Sequence, residues 1–276
     1  MPALLHVSDV HFGPKHLPAA AAAVTRLVAD ARPDAVVVSG DLTQRAKPAQ
    51  FRAARAWLEA LAAPVVFTPG NHDVPLWRAW ERLFAPFGAW RRWFWPELDR
   101  DHTGAGLALV AVNTAHAWTT KHGRVRAADL GAARDRLERA PAAATRILVA
   151  HHPLAAGPEL GDEPVARRGR RLLEAAAAAG AELVLSGHLH RSFAIPAERE
   201  LGVAGPLVVH CGTTTSTRGR GEEAGRNSLH WIEIDERRIG IERRLFDAGA
   251  ERFVTTATFE RARRPAPAGR DIIRRS

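Results

Sequence analysis

The sequence predicts an α/β fold on three observations. Short apolar runs rich in Val, Ile and Leu recur along the chain, stretches of helical period separate them, and five of the runs end in a cluster of Asp, Asn or His. In order, residues 4–8 read as a strand running into Asp9-Val10-His11, and 17–31 read as a helix. Residues 35–39 form the next strand, ending at Gly40-Asp41. A helix follows at 48–62, with Phe51, Ala54, Leu58 and Leu61 at helical spacing. Residues 65–68 lead into the turn Pro69-Gly70-Asn71-His72-Asp73. A strand is expected at 107–112, a helix at 127–139, a strand at 147–150 before His151-His152-Pro153, and a helix at 170–179 capped by Gly180. Residues 183–186 run into Gly187-His188-Leu189-His190, and 207–211 and 229–234 read as further strands. Runs this apolar, bounded by Gly, Pro or Asp, suit strands buried on both faces.

In layered α/β folds, ligands collect in the crevice beyond the strand ends. Asp9, His11, Asp41, Asn71, His151, His188 and His190 would therefore face one pocket, with His72 and His152 to spare. Carboxylate and imidazole donors suit Mn, Fe or Zn better than Ca or Mg, which favour shells of oxygen alone. A carboxylate such as Asp41 can bridge two cations roughly 3.5 to 4 Å apart, so the set describes a two-metal hydrolase. Taken singly, Asp9 and Asp41 also suit helix N-caps. Their place among five such clusters favours the ligand reading.

The blocks His6-Val7-Ser8-Asp9-Val10-His11, Ser39-Gly40-Asp41-Leu42-Thr43, Pro69-Gly70-Asn71-His72-Asp73, His151-His152-Pro153 and Ser186-Gly187-His188-Leu189-His190 resemble, in order, those of the calcineurin-like metallophosphoesterases. Within that superfamily the chain resembles the class III cyclic nucleotide phosphodiesterases. The resemblance covers roughly residues 4–232 and implies a four-layer αββα sandwich. It implies that Asp9, His11, Asp41 and His190 hold one divalent transition metal (Mn, Fe or Zn), and that Asp41, Asn71, His151 and His188 hold a second. His72 is then a catalytic residue that ligates neither ion, and Asn71, His72 and His122 would contact the substrate. The implied reaction is attack on a small phosphodiester, a 3′,5′-cyclic nucleotide first, by a hydroxide bridging the metals, with His72 protonating the leaving oxygen. Alternatives are a phosphatase or nuclease of the same superfamily, or a silent scaffold binding a partner through its Trp-rich segment. A scaffold should show a degraded ligand set, and none of the seven positions is degraded.

Other histidines have plainer readings. His6, His16, His102 and His230 fit no ligand block and read as ordinary surface or core residues, and His152 as packing or hydrogen bonding beside His151.

A domain over 1–250 and a basic, mobile tail over 251–276 account for the length of 276 residues. The one cysteine, Cys211, excludes an intramolecular disulfide and reads as a buried strand-end residue. No stretch reads as a signal peptide or membrane span, so a cytoplasmic protein is expected. The formal charge of +9 is spread as Arg over predicted helices, and no zinc finger, helix-turn-helix or RNA-binding signature accompanies it. An attraction for phosphate esters follows, and nucleic acid is not the expected partner. The segment 74–98 carries Trp77, Trp80, Trp90, Trp93 and Trp95. Core packing accounts for most of these rings, while a wall over the metals or a homodimer contact would use the others.

Overall fold

The computed structural model describes residues 1–94, 97–156, 163–202 and 204–263. Strands β1 (Ala3–Val7), β2 (Ala35–Val38) and β3 (Val65–Phe67) run parallel, and β10 (Ser228–Ile234), β11 (Arg238–Asp247) and β12 (Arg252–Ala262) extend them antiparallel, in the order β12-β11-β10-β1-β2-β3. In a second six-stranded sheet, β5 (Leu107–Ala111), β6 (Thr145–Val149), β7 (Leu183–Ser186) and β9 (Leu207–His210) run parallel. Antiparallel β4 (His102–Gly104) and β8 (Phe193–Pro196) form its edges.

Both faces of these strands are apolar because each looks into a different core. Alternation sends Leu5, Val7, Val36 and Val38 outward against the helices α1 (Pro18–Ala31) and α2 (Pro48–Glu59). Their neighbours Leu4, Ala35 and Val37 point inward, against Leu109, Ile147 and Leu185 of the second sheet. That sheet in turn buries Val110, Leu148 and Val184 beneath α5 (Ala127–Glu138) and α6 (Gly169–Ala178). Helix, sheet, sheet and helix therefore stack as the expected αββα sandwich. Both long helices on the first sheet start with Pro at the first turn, where its missing N–H costs nothing.

The expected tail is corrected. Arg252–Ala262 is strand β12, paired with β11 along its whole length, and Phe253 packs in the same core as Val24 and Val28 of α1. Tail composition misled because edge strands tolerate charge on their open side. The rest of the expected tail, 264–276, lies outside the described residues, as does Trp95. The Trp-rich segment forms two six-residue helices, α3 (Ala79–Phe84) and α4 (Gly88–Trp93). Trp90 is fully buried against Phe51, Phe67 and Phe94, while Trp77 (81% exposed) and Trp80 (76%) face solvent.

Candidate metal centre

Parallel strands deliver their C-terminal ends to one edge, so the loops after β1, β2, β3, β6 and β7 meet there. Asp9, His11, Asp41, His188 and His190 all adopt left-handed backbone, with φ of 51°, 50°, 53°, 72° and 57°. Such conformations are strained outside glycine, and they cluster where surrounding structure holds a site in place. Here the Asp9 N–H donates to the Gly40 carbonyl and the His11 N–H to the Asp41 carbonyl, locking the first two loops together. Gly40 is required because a Cβ would strike the His151 ring, and Gly187 because a Cβ would strike Ser8 and Asp9.

Two groups of donors result. In one, the His190 Nε2 lies 3.0 Å from Asp9 Oδ1 and 3.1 Å from His11 Nε2, and His11 Nε2 lies 3.6 Å from Asp41 Oδ2. In the other, Asn71 Oδ1 sits 3.3 Å from His151 Nε2 and 3.1 Å from His188 Nδ1, and Asp41 Oδ1 sits 3.5 Å from His151 Nε2. Asp41 thus turns one oxygen to each group. Backbone carbonyls fix two of the rings: His190 Nδ1 donates to Arg218 and His151 Nδ1 to Ser39, which leaves each Nε2 facing inward.

The donor set fits a cation. Asp9 Oδ1 and Asp41 Oδ2 are buried with no hydrogen-bond partner. Buried carboxylate oxygens left this way are costly unless a positive charge meets them. Burial lowers His11 to about 4 and His188 to about 3, so both rings offer a lone pair at neutral pH. Burial also pulls on His151, but the carboxylates of Asp41 and Asp9 overrule it and raise the ring to about 9. Without a cation, a proton on that ring supplies the positive charge. Asp9, His11, Asp41 and His190 bring ligand atoms within 4.8 Å of one another, and so do His151, His152 and His188.

The structure brings together all seven expected ligand positions and His72. His72 sits half-buried at the rim, its Nδ1 2.8 Å from the Gln44 carbonyl and its backbone N–H bonded to Asp41 Oδ1. Asp73 does not touch that ring. It accepts hydrogen bonds from the N–H groups of Leu42, Thr43 and Gly70, tying the β2 and β3 loops together. His152 is buried, bonded to Thr114 at Nδ1, with Nε2 unpartnered. His122, expected to contact the substrate, is exposed and does not line the cleft, whereas its neighbour Lys121 does. Asp41, Asn71, His72, His188, His190 and Arg218 line the cleft, and no tryptophan among the described residues does.

Arg218 was not foreseen. Its Nη1 lies 3.1 Å from His72 Nε2 and 3.5 Å from His11 Nδ1, and Arg45 Nη1 lies 3.1 Å from His72 Nδ1. Nothing in Thr217-Arg218-Gly219-Arg220 marks it, because it belongs to no ligand block and reaches the centre only through the fold.

The model of the calcineurin-like phosphoesterase family matches residues 2–192. A cAMP/cGMP dual specificity phosphodiesterase of Mycobacterium tuberculosis is 34% identical over 214 residues, 68% of this chain and 62% of that protein. A probable cyclic nucleotide phosphodiesterase of Synechococcus is 31% identical over 174 residues, 63% and 64%. The aligned region thus spans less than two thirds of either relative. Among solved structures, a purple acid phosphatase from yellow lupin seeds superposes with a TM-score of 0.69 at 14% identity, covering 94% of this chain and 53% of that one, which speaks to the fold alone. With a family match over more than half of its length and the ligand geometry above, the chain belongs to the calcineurin-like phosphoesterase family.

Proposed function

We propose that the chain is a metal-dependent phosphodiesterase acting on a small phosphodiester, first of all a 3′,5′-cyclic nucleotide. The observation that carries the reading is Asp41, which presents one oxygen to each of two imidazole-rich groups. Asp9, His11, Asp41 and His190 would hold one divalent cation, and Asp41, Asn71, His151 and His188 the other. Together such ions supply Lewis acidity and a nucleophilic water at neutral pH.

The remaining steps belong to the chain. Arg218, half-buried beside His72, is placed to pair with a phosphoryl oxygen at the cleft mouth. His72 keeps its Nδ1 proton on Gln44 and turns Nε2 into the cleft, toward a leaving oxygen. Burial lowers its pKa, and Arg218 and Arg45 lower it further against the pull of Asp41. An anionic phosphate entering beside Arg218 offsets that guanidinium and favours the protonated ring. His72 is therefore a proton donor made ready by the substrate itself.

Two curated relatives named as cyclic nucleotide phosphodiesterases support the choice of substrate. Purified protein with Mn²⁺ should hydrolyse cyclic AMP and bis-p-nitrophenyl phosphate in preference to p-nitrophenyl phosphate and single-stranded DNA. Turnover of the monoester alone would replace this reading with a phosphatase.

A further inference from the structure

Beneath the cleft lies a second set of donors that the reaction does not use. His6 on β1 and His230 on β10 are directly opposed in the antiparallel pair, so their side chains share one face, with ring centroids 5.7 Å apart. That face looks into the core between the sheets, since Leu4, two residues before His6, packs there. Cys211 enters the same space at the exit of β9 in the opposite sheet, its Sγ 3.6 Å from the His6 carbonyl and 3.7 Å from that of Ser228. All three side chains are buried, and their ligand atoms lie within 4.8 Å of one another.

Two features separate this group from ordinary core packing. The Nδ1 atoms of His6 and His230 are both buried with no hydrogen-bond partner, a situation that is costly for a polar group taken out of water. The other nitrogen of His6 is 2.9 Å from Ser39 Oγ, the kind of outer contact that orients a metal-ligating histidine.

We propose that His6, Cys211 and His230 form a third metal site, taking one zinc-class divalent cation that staples the two sheets together behind the catalytic loops. One thiolate and two imidazoles suit borderline-soft Zn²⁺ and exclude Ca²⁺ and Mg²⁺. At bond lengths of about 2.3 Å to sulfur and 2.0 to 2.1 Å to nitrogen, the donors need to close in by about 1 Å. Burial keeps both rings neutral, with lone pairs free. On loading, the Cys211 S–H bond breaks, a sulfur–metal bond forms and the proton leaves to solvent. Burial above all, with the nearby carboxylates of Glu223 and Asp9, pushes the Cys211 thiol up, so it is the cation itself that must displace the proton. A site this deep would load as the chain folds.

The chain has one cysteine, and none of the proposed ligands of the catalytic centre is sulfur, so a sulfur signal reports on this site alone. Protein produced in cobalt-supplemented medium should show a near-ultraviolet sulfur-to-cobalt charge-transfer band. Cys211→Ala and His230→Gln should each abolish that band and release one metal per chain while the visible spectrum of the nitrogen–oxygen centre persists. If both variants fail to fold, X-ray absorption at the zinc edge of the unmodified protein gives the same answer through one Zn–S distance of about 2.3 Å. Absence of the band and of sulfur scattering in protein whose catalytic centre is loaded overturns the site and leaves a shared buried water in its place. Loss of the catalytic metals with the band intact would instead count against the two-metal reading and leave this site standing.

Discussion

Asp41 faces both donor groups, so a single truncation should empty both. Asp41→Ala is expected to reduce bound metal from about two ions at the catalytic centre to none, measured by elemental analysis, since a shared carboxylate supports each ion. His72 touches neither group as a required ligand. His72→Ala should keep the metals while kcat falls by roughly 10² to 10⁴, with a smaller loss on an activated nitrophenyl diester, whose leaving group needs little protonation. Equal losses on activated and unactivated diesters would make His72 an electrostatic clamp instead. Arg218→Ala tests the residue that the sequence concealed. Removing a positioned donor from developing charge should cost about 10² in kcat/KM with metal content unchanged. Unaltered kinetics would show that Arg218 only covers His11 and His72.

At the scale of elements, the Trp-rich segment divides. Trp90 on α4 fills the core beside Phe51, and its truncation to Ala should cost about 3 to 5 kcal/mol and depress every activity together. Trp77→Ala and Trp80→Ala remove exposed rings and should change stability by no more than about 0.5 kcal/mol, as is typical of surface changes. The expectation of a ring stacked over the metals is not met among the described residues, and KM for a cyclic nucleotide should not respond to either substitution. Periodicity could not sort these rings. Helices of six residues complete fewer than two turns, too short for a buried stripe to declare itself.

For the whole molecule, β12 decides where the domain ends. Truncation after residue 250, the boundary that composition suggests, would strip β11 of its partner and remove Phe253 from the core beside α1. It would also delete Arg263, which binds Glu182 at 2.6 Å and Thr145 at 3.0 Å and so reaches across to the second sheet. The truncated chain should melt well below the intact one and aggregate through the bared edge, read by thermal unfolding and light scattering. A melting temperature equal to that of the intact chain would restore 251 as the start of a dispensable tail.

The parallel strands and the convergence of the seven candidate side chains on one edge were legible because each depends on local chemistry, whereas the antiparallel β4, β8, β11 and β12 were not. An apolar run that ends in Gly-Asp or Gly-His names both the strand and the donor at its tip, and parallel pairing brings the tips to one edge. Arg218, the exposure of His122 and the meeting of His6, Cys211 and His230 were decided by the tertiary structure. Cys211 and His6 are 205 residues apart in sequence, and no periodicity links β9 to β1. Only the face-to-face packing of two sheets, driven by the apolar faces between them, sets those side chains within reach of one another.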